Sequence, residues 1–338
     1  MKLFLRKALL FLILPIMVFI ALLVGYIVYD PFMVVKTYSD YSYSFNVNRA
    51  YVSTEMFLKN YKKQKYNSFI FGSSRVFGYH ASSWQQHLGG SARVYSFDAY
   101  GEKISGVYHK LRFLDEKGVD IKNVLLCLDT DYTFRRREET PRYLYIEHPL
   151  SSDISWFEFE REQFEAYLTP SFILAMYANK LFGISNELTN RYYSNNGGIS
   201  YDTITNEPGR PDLDRKIKTD TAYYDKVHFY TVTEIGEPPY PIADKTMTKY
   251  MEGIKAIFDK HKTDYRIVLN PLYSQAIFHS TDMSTMKRIF GADRIYDFTG
   301  RNDITKNKYN YYEESHFRPF IGDSIMNIVY DNHRQVNK

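Results

Sequence analysis

Cysteine is nearly absent from this chain of 338 residues: Cys127, inside an apolar run, is the only one. A single thiol excludes an intrachain disulfide, and a lone cysteine among apolar residues usually behaves as a small hydrophobic side chain. The sequence also contains no Gly-x-x-x-x-Gly-Lys-Ser/Thr phosphate loop and no His-Glu-x-x-His motif. These absences argue against a P-loop nucleotide hydrolase and against a zinc protease of that type.

An excess of one sign of charge is also lacking, because the net charge is only +4. Lys2, Arg6 and Lys7 supply three of these four charges, and residues 1–7 contain no acidic residue. The rest of the chain is therefore close to neutral. It offers no basic surface of the kind that nucleic-acid-binding proteins carry, and we expect no nucleic-acid partner.

Long hydrophobic runs are limited to one, Ala8–Tyr29, which contains no charged residue. At about 1.5 Å per residue it spans roughly 30 Å, the thickness of one hydrocarbon core. The basic flank precedes it, so the positive-inside rule predicts a cytoplasmic N-terminus and an extracytoplasmic domain after Asp30-Pro31. A cleaved signal peptide is the alternative, but its apolar region is typically about 7–15 residues long and ends at a small-x-small site. We expect a single-pass protein of the inner or plasma membrane.

Short apolar runs alternate with amphipathic segments in the remainder of the chain. The predicted strands are Asn67–Phe71, Arg93–Phe97, Asn123–Leu128, Tyr265–Leu269 and Arg294–Phe298. The predicted helices lie near Asn48–Lys63, Ile104–Glu116, Ser155–Tyr167, Ser171–Leu181, Met247–His261, Ser284–Phe290 and Phe320–Tyr330. This alternation predicts an α/β domain with a mostly parallel sheet and helices on both of its faces.

The domain organisation follows from these patterns. Residues 1–30 form the cytoplasmic flank and anchor, 31–66 a stem and first helix, and 67–338 the α/β domain. The alternation stops between about residues 131 and 243, a stretch rich in Tyr, Asn, Pro and charge. A structureless loop of that length is implausible, so we predict an insertion with its own helices. It leaves the sheet after the third strand, at the edge where parallel sheets bind ligands, and is expected to form a wall or lid of the site.

Two short motifs carry candidate catalytic residues. Gly72-Ser73-Ser74-Arg75 follows the first strand, where a serine either faces a ligand or caps a helix. Glu313-Glu314-Ser315-His316 precedes the final helix. An acid three residues before a histidine can orient the ring so that its other nitrogen accepts a proton from a serine. The alternative for the second motif is an ordinary surface Glu–His pair.

In this order and context the two motifs resemble the SGNH/GDSL hydrolase superfamily, from about Asn67 to Tyr330. The Gly-Ser-Ser-Arg form resembles its membrane-anchored envelope branch, which includes proteins of polysaccharide O-acetylation and teichoic-acid D-alanylation. The resemblance implies a three-layer α/β/α sandwich. It also implies that Ser74, in the family's Gly-Asp-Ser block, is the nucleophile. His316 and Glu313, in its Asp-x-x-His block, would be the base and the carboxylate that orients it.

The resemblance further implies an oxyanion hole made of the Ser74 N–H, the Gly101 N–H and an Asn side chain. Gly101 lies at the matching position after the second strand, but Asp129 stands where the family has Asn. An ionised carboxylate cannot donate a hydrogen bond, and the loss of one such donor costs about 10²–10³ in rate. Asn270 and Asn302 are the candidates for a substitute donor.

Other polar residues near the strand ends have less specific roles. Asp129 and Asp131 could attract a hard cation, but two acids at a strand end are more often solvated or paired with Arg75. We expect no metal and no other cofactor. Arg75, Arg318 and Asn270 are candidates for contacts with substrate. The run 135–139, Arg-Arg-Arg-Glu-Glu, is expected to be a solvated face.

The sequence thus predicts an extracytoplasmic serine esterase or O-acyltransferase that acts on a cell-envelope polysaccharide or wall polymer. By the resemblance, its partner would be a polytopic membrane acyltransferase. The alternative is a catalytically inactive SGNH-like scaffold that binds a glycan or that partner. A fluorophosphonate probe separates the two, since only an enzyme would be labelled at Ser74 in a manner that depends on His316.

Overall fold

The computed structural model describes residues 2–42, 47–184, 186, 189, 199–232 and 236–331, with the backbone alone described at residues 2, 3, 5, 6, 8–10 and 331. The chain begins with a long helix, α1 (Lys2–Tyr29). Its segment Phe11–Tyr29 is long and apolar enough to cross a membrane. Most side chains of that segment are exposed rather than covered by the rest of the protein.

The remainder of the described chain is an α/β structure built on a five-stranded parallel sheet. Its strands are β1 (Ser68–Phe71), β2 (Val94–Ser96), β3 (Asn123–Leu128), β6 (Asp264–Leu269) and β7 (Ile295–Asp297), in the order β2-β1-β3-β6-β7. Two short antiparallel pairs lie outside it: β4 (Ser200–Tyr201) with β5 (Pro208–Gly209), and β8 (Tyr311–Glu313) with β9 (His316–Phe317). The five strands predicted from the sequence are confirmed, each within one residue at either end.

Ten further helices connect and cover the strands in the described part of the chain. They are α2 (Arg49–Gln64), α3 (Ala81–His87), α4 (Ile104–Glu116), α5 (Trp156–Tyr167), α6 (Pro170–Phe182), α7 (Pro211–Thr219), α8 (Tyr223–Lys226), α9 (Lys245–His261), α10 (Ser280–Phe290) and α11 (Pro319–Asp331). All seven predicted helices are present, with small shifts of their ends. The short α3, α7 and α8 were not predicted, because seven, nine and four residues are too few to display a helical period.

Helices lie against both faces of the sheet, because alternate residues of each strand point to opposite sides. Phe69, Phe71, Leu126 and Leu128 contribute to a large buried cluster with residues of α2, α4, α9 and α10. Ile70, Leu125, Cys127 and Val268 point the other way, into a second cluster with α3 and α11. Cys127 is therefore a small core residue, as expected, and it is buried as a free thiol.

Residues 31–66, expected to form a stem and first helix, belong partly to the core. Phe32, Val34 and Tyr41 are buried, and α2 packs Val52, Met56 and Phe57 against the sheet. Arg49 at the start of α2 forms a fully buried ion pair with Asp98, which follows β2. This pair and the apolar contacts fix the segment to the domain rather than letting it extend away.

The chain between β3 and β6 contains α5, α6, the β4–β5 pair, α7 and α8 in its described parts. The helices predicted at Ser155–Tyr167 and Ser171–Leu181 correspond to α5 and α6. Ser155 caps α5 by accepting a hydrogen bond from the Glu158 N–H, and Pro170 occupies the first turn of α6. Residues 185, 187, 188 and 190–198, which include the Asn-Asn-Gly-Gly stretch, lie outside the described residues.

Candidate active site

The turn after β1 places Ser74 at the carboxyl edge of the sheet. Gly72 lets the backbone pass close to β3: a Cβ there would lie 2.8 Å from the Cys127 carbonyl oxygen. Ser73 caps the short 3-10 helix Ser74–Gly78, since its hydroxyl accepts a hydrogen bond from the Arg75 N–H at 3.2 Å. The capping role that a serine can take at this position is therefore filled by Ser73, and the hydroxyl of Ser74 is free to point elsewhere.

Ser74 and His316 meet at this edge although 242 residues separate them in the chain. The Ser74 hydroxyl lies 2.8 Å from Nε2 of His316. The β8–β9 hairpin positions the ring, because Glu313 and His316 face each other across it. Phe77 stacks on the imidazole with 5.9 Å between ring centroids. The ring is thus fixed by its strand and by an aromatic neighbour.

Glu313 completes the chain of contacts, because its carboxylate is hydrogen-bonded to Nδ1 of His316. Burial would raise the pKa of Glu313, but the bonds from His316 and the Ser315 N–H, together with the charge on Arg210, outweigh it and lower the pKa. A carboxylate that stays ionised favours a proton on Nδ1, which leaves the Nε2 lone pair directed at Ser74. The three side chains are therefore arranged for proton transfer from the serine.

Two backbone N–H groups, of Ser74 and Gly101, are the candidates for an oxyanion hole. Within the described chain, neither the Ser74 N–H nor the Gly101 N–H donates to a protein acceptor. Gly101 has φ +54°, and a Cβ there would contact Tyr132 at 3.2 Å and Tyr145 at 3.3 Å. The positive φ favours a glycine at this position, and a larger residue would also press on the two tyrosine rings.

Asp129, at the position where the resemblance implied an Asn, is held by hydrogen bonds within the protein. One of its carboxylate oxygens accepts a hydrogen bond from the Ser73 hydroxyl, and the other accepts from Nδ2 of Asn270 at 2.8 Å. Its side chain is only 2 % exposed and lies 3.2 Å from Arg75. These contacts make Asp129 a buried support for the turn that carries Ser74, and it offers no hydrogen for an oxyanion.

Arg75 ties three parts of the site together. Its guanidinium makes a two-pronged contact with Asp131, at 2.8 Å for each bond, and its Nε donates to the Ser315 carbonyl at 3.0 Å. Burial lowers the pKa of Arg75, but Asp129 and Asp131 outweigh it and raise the pKa. The pairing of Arg75 with these acids, one of the two alternatives weighed for them, is confirmed. These bonds at Nε, Nη1 and Nη2 hold the guanidinium between the acids and the hairpin, so Arg75 positions the hairpin that carries His316.

Of the other polar candidates, Asn270 and Asn302 form hydrogen bonds within the protein. Asn270 is fully buried, donates to Asp129 and accepts from the Tyr79 hydroxyl at 2.8 Å, so it does not face a substrate. Asn302 stabilises the turn after β7 by donating to the Phe298 carbonyl at 2.8 Å. Arg318 lies beside the Phe320 ring at 5.1 Å, on the segment that leads into α11. No group of three or more His, Cys, Asp or Glu side chains in the described chain could hold a metal ion.

Two residues of the segment between β3 and β6 reach the site and were not predicted. Arg210 lies near enough to Glu313 to lower its pKa. The Tyr230 N–H donates to the Glu314 carboxylate at 2.7 Å. No periodic pattern surrounds either residue, so only the course of the folded chain brings them here.

A cleft of about 1450 Å³ is lined in part by Tyr230, and Ser74, His316 and Glu313 are not among its lining residues. Tyr230 and Tyr273 form part of its wall, and Lys226, His228, Arg301 and Lys308 add basic groups. Aromatic faces and cations together suit a polar, extended ligand.

Comparison of the chain with protein-family models and with curated proteins found no match to either. The chemistry of the site therefore has to be argued from its own geometry.

Proposed function

We propose that this chain is a membrane-anchored, extracytoplasmic serine esterase or O-acyltransferase with an SGNH-like domain. The observation that carries the proposal is the continuous contact from the Ser74 hydroxyl, through both nitrogens of His316, to the Glu313 carboxylate. Nucleophile, base and orienting acid in hydrogen-bond reach of one another are the signature of serine acyl transfer.

The proposed reaction proceeds through an acyl-enzyme. The Ser74 oxygen attacks the carbonyl carbon of an ester while Nε2 of His316 takes its proton, and the Ser74 and Gly101 N–H groups stabilise the oxyanion. The ester C–O bond then breaks, and His316 returns the proton to the departing alkoxide. Water or a sugar hydroxyl next attacks the acyl carbon while His316 takes its proton; the bond between that carbon and the Ser74 oxygen breaks, and His316 returns the proton to Ser74. Water makes the protein an esterase, and a hydroxyl acceptor makes it an acyltransferase.

Topology supports the SGNH-like assignment. The serine follows the first strand of a parallel sheet that carries helices on both faces, and the acid–histidine pair precedes the last helix. In this interpretation the sandwich is interrupted by an insertion at about residues 131–243, from which Arg210 and Tyr230 contribute to the site. The resemblance in fold raises the expectation of ester chemistry, but the proposal depends on the geometry of the site itself.

The membrane location rests on the apolar segment of α1 and on the basic residues that precede it. The positive-inside rule then places the domain outside the cytoplasm. An envelope polysaccharide or wall polymer is the substrate class that suits this location and the aromatic and basic residues of the cleft lined by Tyr230 and Tyr273. A polytopic membrane acyltransferase would supply the acyl group in the transferase case.

A catalytically inactive scaffold is the second candidate, and Asp129 is the observation that favours it. Its carboxylate replaces the third donor of the family's oxyanion hole, which would cost about 10²–10³ in rate. Such a protein would keep the cleft and bind a glycan without turning it over.

A fluorophosphonate probe on the detergent-solubilised full chain tests the proposal. We expect labelling of the wild type, none in Ser74→Ala and a severe loss in His316→Ala, because the probe reports an activated serine. Ser82→Ala, an exposed serine on α3, is the matched control and should label as the wild type does. An unlabelled wild type that still retains polysaccharide would support the scaffold instead.

A further inference from the structure

We propose that α5 and α6, with the turn between them, lie in the outer leaflet of the membrane beside α1, so that lipid covers their exposed apolar side chains. This proposal rests on the membrane-spanning role of α1 in the proposed function. We call α5, α6 and their turn the interfacial hairpin. Its ligand is the lipid of the outer leaflet, headgroups and acyl chains together.

The depth of the hairpin is set by the residues of α1 that it touches. Phe164 of α5 lies edge-on to Phe19 at 5.9 Å and to Tyr26 at 5.3 Å between ring centroids. Phe19 is ten residues before the end of the apolar segment Phe11–Tyr29, which is about 15 Å along the helix axis. A side chain that contacts the middle of a membrane-spanning segment has to lie in the membrane as well.

The turn of the hairpin reaches at least as deep. Leu168, between α5 and α6, lines an apolar groove with Phe11, Leu14, Pro15, Val18, Phe19 and Leu22 of α1. Further along α6, the ring of Tyr177 lies edge-on to the ring of Tyr29, with 5.8 Å between centroids, at the outer end of the apolar segment. Gly25 permits this close approach, since a Cβ there would lie 2.5 Å from the Tyr177 hydroxyl oxygen.

The outer face of the hairpin is apolar although nothing in the described chain covers it. Leu174 is 63 % exposed, Leu181 60 % and Phe182 75 %, all on α6. An apolar patch of this kind on a water-facing surface is unusual. It is continuous with the contact between the hairpin and α1, so the lipid that surrounds α1 also meets these side chains.

Charged residues limit how far the hairpin can enter. Arg161 and Glu165 are exposed on α5 and lie 3.7 Å apart, and Lys180 is exposed near the end of α6. Long charged side chains can extend toward the headgroups while their neighbours contact acyl chains. With 13 residues, α6 is also too short to span a bilayer. The hairpin therefore enters the outer leaflet and does not cross the membrane.

The interfacial hairpin also bears on the site. Gln163 of α5 donates to the Tyr143 carbonyl at 2.9 Å, and Arg142 pairs with Glu162 at 2.6 Å. This segment leads directly to Tyr145, which lies against Gly101. The Gly101 side of the site is thus braced by the hairpin, which would hold the carboxyl edge of the sheet near the membrane surface.

Depth-dependent fluorescence quenching in the full chain tests the proposal. The variants Leu174→Cys, Leu181→Cys and Val18→Cys carry a polarity-sensitive fluorophore in vesicles of phosphatidylethanolamine and phosphatidylglycerol. Spin-labelled phosphatidylcholine, with the label near the headgroup or near the end of the acyl chain, is the quencher. Ile204→Cys is the matched control, since Ile204 is 48 % exposed and its carbonyl contacts Tyr66, beyond the far end of α2. The wild type, whose Cys127 is buried, is the labelling blank.

We expect blue-shifted emission and loss of most of the fluorescence at positions 174 and 181 with the shallow quencher, and no loss at 204. Position 18 should respond more strongly to the deep quencher. If the labels at positions 174 and 181 are as weakly quenched as the label at 204, while the label at 18 is quenched, the hairpin is in water or covered by protein. That result refutes this proposal but leaves the membrane-spanning role of α1 supported. If 18 is not quenched either, the anchor itself is wrong. Neither result affects the probe labelling of Ser74, which tests the chemistry separately.

Discussion

Asp129→Asn is the substitution on which the family resemblance and the structure disagree. The resemblance implies that Asn at this position restores an oxyanion donor and speeds acylation. In the structure both carboxylate oxygens already accept hydrogen bonds, from Ser73 and Asn270, and Arg75 lies 3.2 Å away. An amide would turn one acceptor into a donor, so that the Ser73 hydroxyl could no longer donate to this side chain, and it would remove the charge opposite Arg75.

The expected cost follows from burial. The Asp129 side chain is 2 % exposed, so water cannot replace the lost charge-assisted bond, and such a bond contributes about 1.5–3 kcal/mol. Arg75 retains Asp131, which places the total at about 2–3 kcal/mol rather than at the full cost of a broken buried pair. With an unfolding entropy of about 2.1 cal/mol/K per residue, the melting temperature should fall by about 3–5 °C. The size of the side chain hardly changes, so no cavity contributes.

Thermal unfolding of the full chain in detergent and the rate of fluorophosphonate labelling are the two readouts. Asp131→Asn is the matched control, because it faces the same arginine but is 38 % exposed. Exposure screens its ion pair, and the loss should stay below about 1 kcal/mol. We expect Asp129→Asn to label more slowly than the wild type, since the turn that carries Ser74 loses its support. Faster labelling, or equal shifts in the two variants, would refute this reasoning.

The remaining predictions concern neighbouring residues of the site. Glu313→Gln should slow labelling by roughly 10³–10⁴, since the amide no longer fixes the histidine tautomer; unchanged labelling would contradict the proposed role. The pKa of Glu313 lies below its ordinary value of 4.5. The ionised Glu313 carboxylate therefore stabilises the fold above pH 4.5, and this contribution is lost as the pH falls through the lowered pKa of Glu313. A series of melting temperatures against pH should show the loss in the wild type but not in Glu313→Gln. Arg75→Gln should lower the melting temperature by several degrees. Arg135→Gln is the control and should not lower it, because Arg135 lies over the same Tyr132 ring but pairs with Glu139 at the surface. Gly101→Ala should cost about 1–2 kcal/mol from its positive φ and slow labelling by shifting a proposed oxyanion donor; wild-type labelling kinetics would contradict that donor role.

Strand and helix positions were largely readable from the sequence. The runs around Phe71, Leu126 and Leu269 are short, apolar and fully buried, which is the pattern of strands inside a parallel sheet. The amphipathic spacing of α4 and α9 matched the faces that they bury. The short α3, α7 and α8 escaped prediction, since fewer than about three turns carry too little periodicity.

The order of the motifs along the chain also predicted that Ser74, His316 and Glu313 act together. It could not assign a role to Ser73. Two adjacent serines are indistinguishable as letters, and only the turn shows that Ser73 caps the helix while Ser74 faces His316. Asp129 was expected at a donor position from the resemblance. The folded chain instead surrounds it with donors, which a sequence pattern cannot reveal.

The sequence by itself determined the apolar N-terminal segment, the alternation of strands and helices, and the residue types at the carboxyl edge of the sheet. Each of these depends on local composition and period, which neighbouring residues specify. The tertiary structure decided what depends on long-range distance. It brought position 74 to position 316, used Arg75 and Asp129 as supports, and set the hairpin of α5 and α6 beside α1. Such contacts arise from the packing of distant segments, and no local pattern encodes them.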